Sequence, residues 1–492
     1  MGSNIRKAVR LGWVLLFFGT GAIAQVRVPR MIGDGMVLQR DMPIRIWGFA
    51  SPGEKVTVKF AGESASGTTA DNGKWVVVLG PKKAGGPFTM DIDGINHIWL
   101  KNILVGEVWV CSGQYNMQLA MEKVKGDYAG HIDYPGLIAN ADNIPIRQYY
   151  VPQHYDYKGP RENVSGGRWD IASSSTVGSF SALGYLFARQ LYDKYHCPVG
   201  LINVCSADAP AEAWLSPAAL RNYPDFASSA GRYADSTFPE GTGPADKMAT
   251  GGLFNGMIAP IDTYTVKGVL WYQGEANIPR AADYTALFST LIGDWRGHWA
   301  QASLPFIYVQ LESHGVVAPS VEESQWADMR EAQRMALTVP GTGMAVAGDL
   351  DSAGGLEAGD LQELSRRLFM SAEAIAYGKS NFIFSGPIYE SMKAHGNKMH
   401  VMFTEVNTGL IVKGGGELRG FTIANADNRF VPAKAITDGK KIIVWSDDIA
   451  HPVAVRYGWV DNPYGINLFN RDILFKDGLP APPFEGRVRA RK

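Results

Sequence analysis

From Val26 to about Leu104 apolar and polar positions alternate in short runs, the two-residue period of strands with one buried face. Val56, Val58 and Phe60 alternate with polar partners, and Trp75 to Leu79 makes a short apolar strand after Asp71-Asn72-Gly73. Turn signals at Gly33-Asp34-Gly35, Ser51-Pro52-Gly53 and Gly85-Gly86-Pro87 punctuate the runs, so the pattern predicts a small antiparallel β-sandwich. After Gly106 the pattern changes. Apolar runs of the buried-strand type (Val108 to Cys111, Gly200 to Cys205, Val266 to Tyr272, Phe306 to Leu311, Gly343 to Ala347) alternate with helical stretches. The helices are expected over Ala182 to Tyr192, Pro217 to Arg221, Asp283 to Trp299, Trp326 to Leu337 and Leu361 to Tyr377. Strands alternating with helices predict an α/β domain with a parallel sheet and helices on both faces. Arg330 falls on the expected solvent surface of its helix. From about Ser385 strand patterning returns in Lys398 to Phe403, Phe421 to Ala424, Lys441 to Trp445 and Pro452 to Tyr457, which predicts a second sandwich. The expected divisions are 25–104, 105–380 and 381–492. The polar stretch from Asn222 to Thr250 is either an ordered cover or mobile.

Residues 1–24 stand apart. Arg6, Lys7 and Arg10 precede a short apolar run, Leu11 to Phe18, and Ala22-Ile23-Ala24 offers a small-x-small cleavage pattern. This reads as a secretory signal peptide, which predicts a secreted or periplasmic protein. No later apolar stretch is long enough to suggest membrane insertion. The formal net charge of −1 removes any global field toward nucleic acid, so no nucleic-acid partner is expected. Cys111, Cys197 and Cys205 are an odd set without zinc-site spacing, and no metal is assigned. Buried thiols are the default reading, with one bridge between Cys111 and Cys205 left open.

Several long motifs carry more. They include Met36-Val37-Leu38-Gln39-Arg40, Gly106-Glu107-Val108-Trp109-Val110-Cys111-Ser112-Gly113-Gln114, Glu212-Ala213-Trp214, Gly251-Gly252-Leu253-Phe254-Asn255-Gly256-Met257-Ile258 and Trp271-Tyr272-Gln273-Gly274-Glu275. Val453-Ala454-Val455-Arg456-Tyr457 with Asp461-Asn462-Pro463 closes the set. Over nearly its whole length the chain resembles the sialate O-acetylesterase family. That resemblance implies an SGNH-hydrolase core, a flavodoxin-like sheet, and action on acetylated sugars, so a glycan or oligosaccharide is the expected partner.

The family's reacting positions are changed here. Its nucleophile lies in Gly-Gln-Ser-Asn-Met; this chain has Gly113-Gln114-Tyr115-Asn116-Met117. Its Trp-Gly-Gly-Thr-Pro block, whose glycine amide serves the oxyanion, corresponds to Ser206-Ala207-Asp208-Ala209-Pro210. Its Asp-x-His-Pro aligns with Gly355, Glu357 and Ala358, while Gly274 and Asn277 keep their places. A serine esterase needs a hydroxyl nucleophile, a base and oxyanion donors, and all three expected positions have changed. Ser112 and His314 are the nearest substitutes. The positions gain Tyr115, Asp208 and Glu357 and keep Glu275, with Asp349 and Asp351 close in sequence.

Two carboxyl groups, one protonated and one ionised, suit cleavage of a glycosidic bond. The expectation is therefore a carbohydrate hydrolase acting on glycosidic linkages, with Asp208 and Glu357 as acid and base. Tyr115 sits beside them as a hydrogen-bonding group or, with a carboxylate base, as nucleophile. Gln114, Asn116, Gln273, Glu275, Asn277 and Trp214 are the expected substrate-binding residues, with a structural role for Glu275 as the competing reading. An O-acetylesterase with non-standard residues and a non-catalytic glycan-binding protein are the alternatives. None of the three requires a cofactor, although clustered Asp and Glu could hold Ca²⁺.

Overall fold

The computed structural model describes residues 25–123, 134–223, 250–315, 323–350, 358–379, 381–471 and 478–488. The signal segment, Asp351, Gly355, Glu357 and most of the polar stretch after Asn222 lie outside these residues.

The N-terminal strands are β1 (Val37–Gln39), β2 (Ile44–Phe49), β3 (Lys55–Phe60), β4 (Glu63–Thr68), β5 (Lys74–Leu79) and β6 (Gly85–Asp93). They lead into one long strand, β7 (His97–Gly113). Up to Asn102 its side chains alternate or face water, where β7 pairs antiparallel with β6. From Ile103 every residue is buried, and from Glu107 it pairs in parallel with later strands. The change from alternating to continuous burial is what a strand shows when its second face also becomes covered. The expected boundary between residues 104 and 105 therefore falls inside a strand. The N-terminal region and the α/β region share that strand and one continuous apolar core.

Beyond β7 come β8 (Ile146–Tyr150), β9 (Trp169–Ile171), β10 (Val199–Cys205), β11 (Gly268–Tyr272), β12 (Phe306–Gln310) and β13 (Thr342–Val346). The spatial order is β13-β12-β11-β7-β10-β8-β9, parallel except for β9. The edge pair β8 and β9 is not in the pattern read from sequence. Helix Ala182–Tyr195 packs on helix Ala358–Ile375, and Ala281–His298 packs on Gln325–Met335. Ser181 and Ser324 cap the first and last of these, each accepting a backbone N–H through its hydroxyl. From β7 the chain passes to β8 and β9 and returns to β10 on one side, then runs outward from β11 to β13 on the other. The strand order thus reverses between β7 and β11, and the crevice beyond their C-terminal ends is where ligands bind in such sheets.

After residue 385 two four-stranded antiparallel sheets enclose a separate core that includes Val401, Ile423, Val444, Tyr457 and Phe484. Arg330 is not on a surface. It is fully buried, and its guanidinium donates to the carbonyls of Leu311, Glu312, Val460 and Asp461, joining the exit of β12 to the C-terminal region.

Candidate active site

Register across four strands builds the site. Val204 on β10, Ser112 on β7, Trp271 on β11 and Tyr308 on β12 are successive partners in one line. Four residues further along each chain stand Asp208, Asn116, Glu275 and Glu312. Parallel strands advance together, so three carboxylates and an amide arrive at one level at the switch point. Gly113 makes the turn out of β7 possible. Its φ is +135°, and a Cβ there would lie 2.0 Å from the Tyr272 carbonyl oxygen, so only glycine fits.

Glu312 is buried and accepts two side-chain donors, the Tyr272 hydroxyl at 2.5 Å and the Asn116 amide at 2.9 Å. Glu275 is half-buried, and its Oε2 has no hydrogen-bond partner. Burial and the repulsion of Glu312 push the Glu275 carboxyl up to about 8, with a further upward push from Asp208. Burial raises the Glu312 carboxyl as well, against the lowering pull of Tyr272, its own backbone N–H, Arg330 and Asn116. Two buried carboxyls that repel one another hold one proton between them at neutral pH. Burial and the two carboxylates hold the Tyr272 phenol far above its usual range, so it stays a donor to Glu312.

Asp208 is exposed and has a left-handed φ of 60°. That conformation suits the glycine of the resembled motif, and aspartate is among the few other residues that adopt it readily. Its loop is pinned by Ser206 N–H to the Gly113 carbonyl at 3.0 Å and Ala207 N–H to Gln118 Oε1 at 3.1 Å. Asp208 thus lies beside Glu275, while its expected partner Glu357 is outside the described residues. Tyr115 opens a one-turn helix, Tyr115–Gln118, and is 59% exposed at the mouth of the crevice. Tyr150, at the end of β8, is 37% exposed.

Several expected contact residues are corrected by burial. Trp214 is fully enclosed and packs edge-on against Trp271 at 6.1 Å, so it offers no face to a sugar. Gln114 is buried, and its Oε1 accepts Gly274 N–H at 3.0 Å. Asn277 is buried and spends its amide on Glu212 at 2.9 Å and its oxygen on Ala211 N–H and Gln273. Gln273 is equally enclosed, held between Asn277 and Tyr284. These three shape the loops from inside. Asn116 and Glu275 remain at the crevice.

Neither substitute fits. Ser112 is buried in β7, and His314 is exposed and stacked on Trp326 with ring centroids 4.3 Å apart. Asp349 is closed into a two-pronged ion pair with buried Arg367, at 2.6 and 2.9 Å. The three cysteines are free and buried; Cys205 Sγ lies 3.5 Å from the Cys111 carbonyl oxygen, and burial pushes the Cys111 thiol up to about 12. Among the described residues no group of three or more His, Cys, Asp and Glu is placed to hold a metal ion, and no helix is long and apolar enough to cross a membrane. Sequence reasoning missed Glu312. The signal was present, because Glu312 follows a largely apolar, fully buried strand at the end where the other site residues lie.

Residues 105–356 match the family model described as carbohydrate esterase, sialic acid-specific acetylesterase. The human sialate O-acetylesterase is 30% identical over 93% of this chain and 92% of its own length. The chain belongs to this acetylesterase family. The mouse relative of the same name is 28% identical over 96% of this chain and 98% of its own length. A carbohydrate acetylesterase from Xanthomonas citri has a crystal structure with a TM-score of 0.82 and 34% identity. The superposition covers 94% of this chain and all of that one. Family membership accounts for the SGNH-type core and for the flanking antiparallel sheets.

Proposed function

We propose that the protein hydrolyses O-acetyl esters of carbohydrates with water as nucleophile, activated by the carboxyl pair Glu275 and Glu312. The observation that carries this reading is the pair itself, one partner carrying a proton at neutral pH, at the switch point of an acetylesterase-family scaffold. The ionised carboxylate takes a proton from water as the oxygen adds to the acetyl carbon. The protonated partner gives its proton to the carbonyl oxygen. The tetrahedral diol then collapses: the first carboxyl protonates the departing sugar oxygen, and the second recovers its proton from the diol. Water and ester become acetic acid and a sugar hydroxyl, and both carboxyls return to their starting states. Because the carbonyl oxygen is protonated as it develops charge, this route needs no separate oxyanion donors.

Tyr115 gives the sugar an exposed ring to lie against. The glycosidic reading rested on Asp208 with Glu357. Family membership and the relatives' activities favour an ester, and Asp208 acts here through its field on Glu275. Reading residues 1–24 as a secretory signal, we further propose that this activity acts outside the cytoplasm.

The test follows free acetate and new reducing ends together, on acetylated sialosides and acetylated plant polysaccharides. Acetate release that falls about 10²–10⁴-fold in Glu275→Gln and in Glu312→Gln supports the proposal. Acetate release untouched by either change, or new reducing ends without acetate, overturns it. Binding without either product makes the crevice a glycan-binding site.

A further inference from the structure

The two carboxyls of the pair have unequal surroundings. Both oxygens of Glu312 are engaged by donors, Asn116 on Oε1 and Tyr272 on Oε2. Its backbone carbonyl receives the Arg330 guanidinium at 2.6 Å, so a full cation sits within the same residue's reach. Among the described residues Glu275 has no side-chain donor. Among these residues the backbone N–H groups of 274 and 275 approach it, and Oε2 is orphaned. Donors and cations favour the charged form of a carboxylate, and an unpartnered oxygen out of water favours the neutral acid.

We infer that Glu275 holds the proton of the pair and Glu312 the charge, and that Arg330 is the positioning residue that maintains this division. The assignment rests on the ester-hydrolysis reading only for its use: Glu312 then becomes the base for water and Glu275 the acid for the carbonyl oxygen. Arg330 makes no contact with substrate. It fixes the Glu312 backbone from the helix Gln325–Met335, and through Val460 and Asp461 it ties that backbone to the C-terminal region. Burial lowers the guanidinium only to about 10, so it remains a cation at neutral pH. Among the described residues the charged and titratable groups facing the pair are Tyr272 from β11, Asp208 from the β10 exit and Arg330 from its helix. Asp461 from the C-terminal loop opposes Arg330 from the far side.

The experiment titrates the full-length protein labelled with ¹³C at glutamate side chains, reading each carboxyl by NMR. Each is measured alone, Glu275 in the Glu312→Gln protein and Glu312 in the Glu275→Gln protein. The expected result is a higher midpoint for Glu275, and the reverse order overturns the assignment. Adding Arg330→Met to Glu275→Gln should raise the Glu312 midpoint, while Arg330→Lys should largely keep it. Equal midpoints in the Met and Lys proteins overturn the role of Arg330. Should Arg330→Met not fold, Arg330→Lys in an otherwise intact chain is read by the acidic limb of kcat/KM. That limb should stay in place while kcat falls through lost geometry; a limb moved to higher pH overturns the role. The midpoints are readable whether or not acetate is released, so failure of the ester reading is distinguishable from failure of the proton assignment.

Discussion

Asp208 separates what a backbone position demands from what a side chain contributes. The left-handed φ of 60° asks for glycine, asparagine or aspartate, and the carboxylate adds a negative field on Glu275. Asp208→Asn keeps the first and removes the second. The Glu275 carboxyl then titrates lower, so the alkaline limb of kcat/KM should move to lower pH with little change in thermal midpoint. An unmoved limb would show that Asp208 is too well solvated to act. Glu275 also makes a stability prediction. Its folded value of about 8 stands above its ordinary 4.5, so between those values the folded state binds more protons than the unfolded one. Stability from this group is complete below about 4.5 and is lost as pH rises toward 8. Glu275→Gln should flatten that decline, seen as a smaller difference in urea midpoint between mildly acidic and mildly alkaline buffer. At Tyr115, truncation to alanine removes the exposed ring and leaves the buried pair intact. KM should rise several-fold with kcat changed much less; equal losses in both would place Tyr115 in the chemistry.

At the scale of elements, the sequence was readable where one period ran unmixed. Strands β10 to β13 and the four long helices lie within a few residues of their expected bounds, because fully buried runs and long helical stretches, two of them with serine caps, are local signals. Two things were not local. The boundary at residue 104 looked real because alternation stops there, yet the cause is a change of neighbours along one strand, β7. Glu312 looked like any loop carboxylate, and only the parallel register of β11 with β12 sets it level with Glu275. Trp214 failed in the opposite direction. Its aromatic ring suggested sugar contact, but the short turn Ala211–Trp214 tucks it under the helix Ala281–His298. Ser324 shows how an element end can serve two purposes: its hydroxyl caps the helix Gln325–Met335 and also bonds Asp461 at 2.6 Å. Ser324→Ala should cost about 1 kcal/mol for the cap. A loss well above that, in equilibrium unfolding, would measure the added worth of the Asp461 tie. A loss near zero would mean water replaces both.

The whole molecule divides into two cores, one shared by the N-terminal and α/β regions and one in the C-terminal sheets. What joins them is a small apolar cluster of Met370, Ile383 and Leu479, a set of hydrogen bonds around Asp461 and Asn462, and an ion pair. Arg456, buried on the C-terminal strand Ala454–Tyr457, reaches Glu323 at 3.1 Å through both terminal nitrogens and Glu485 at 2.7 Å, over the rings of Phe430 and Trp459. Arg330 makes another tie, to the carbonyls of Val460 and Asp461. A buried guanidinium whose partners are kept is strongly held, and removing it strands the carboxylate left behind in low dielectric. Here Glu485 keeps Arg487 as a second cation at 2.5 Å, and Glu323 is exposed and recovered by water, so neither carboxylate is fully stranded. Arg456→Met should therefore destabilise the C-terminal core selectively, by less than the about 3–5 kcal/mol that an uncompensated buried charge costs. Calorimetry should then resolve an early transition ahead of the main one, and hydrogen exchange should place it in strands Phe421–Ala424 and Ala454–Tyr457. If both cores instead melt together at a lower temperature, the C-terminal sheets have no stability of their own. Their contact with the Glu312 segment through Arg330 would then be an obligatory part of the site.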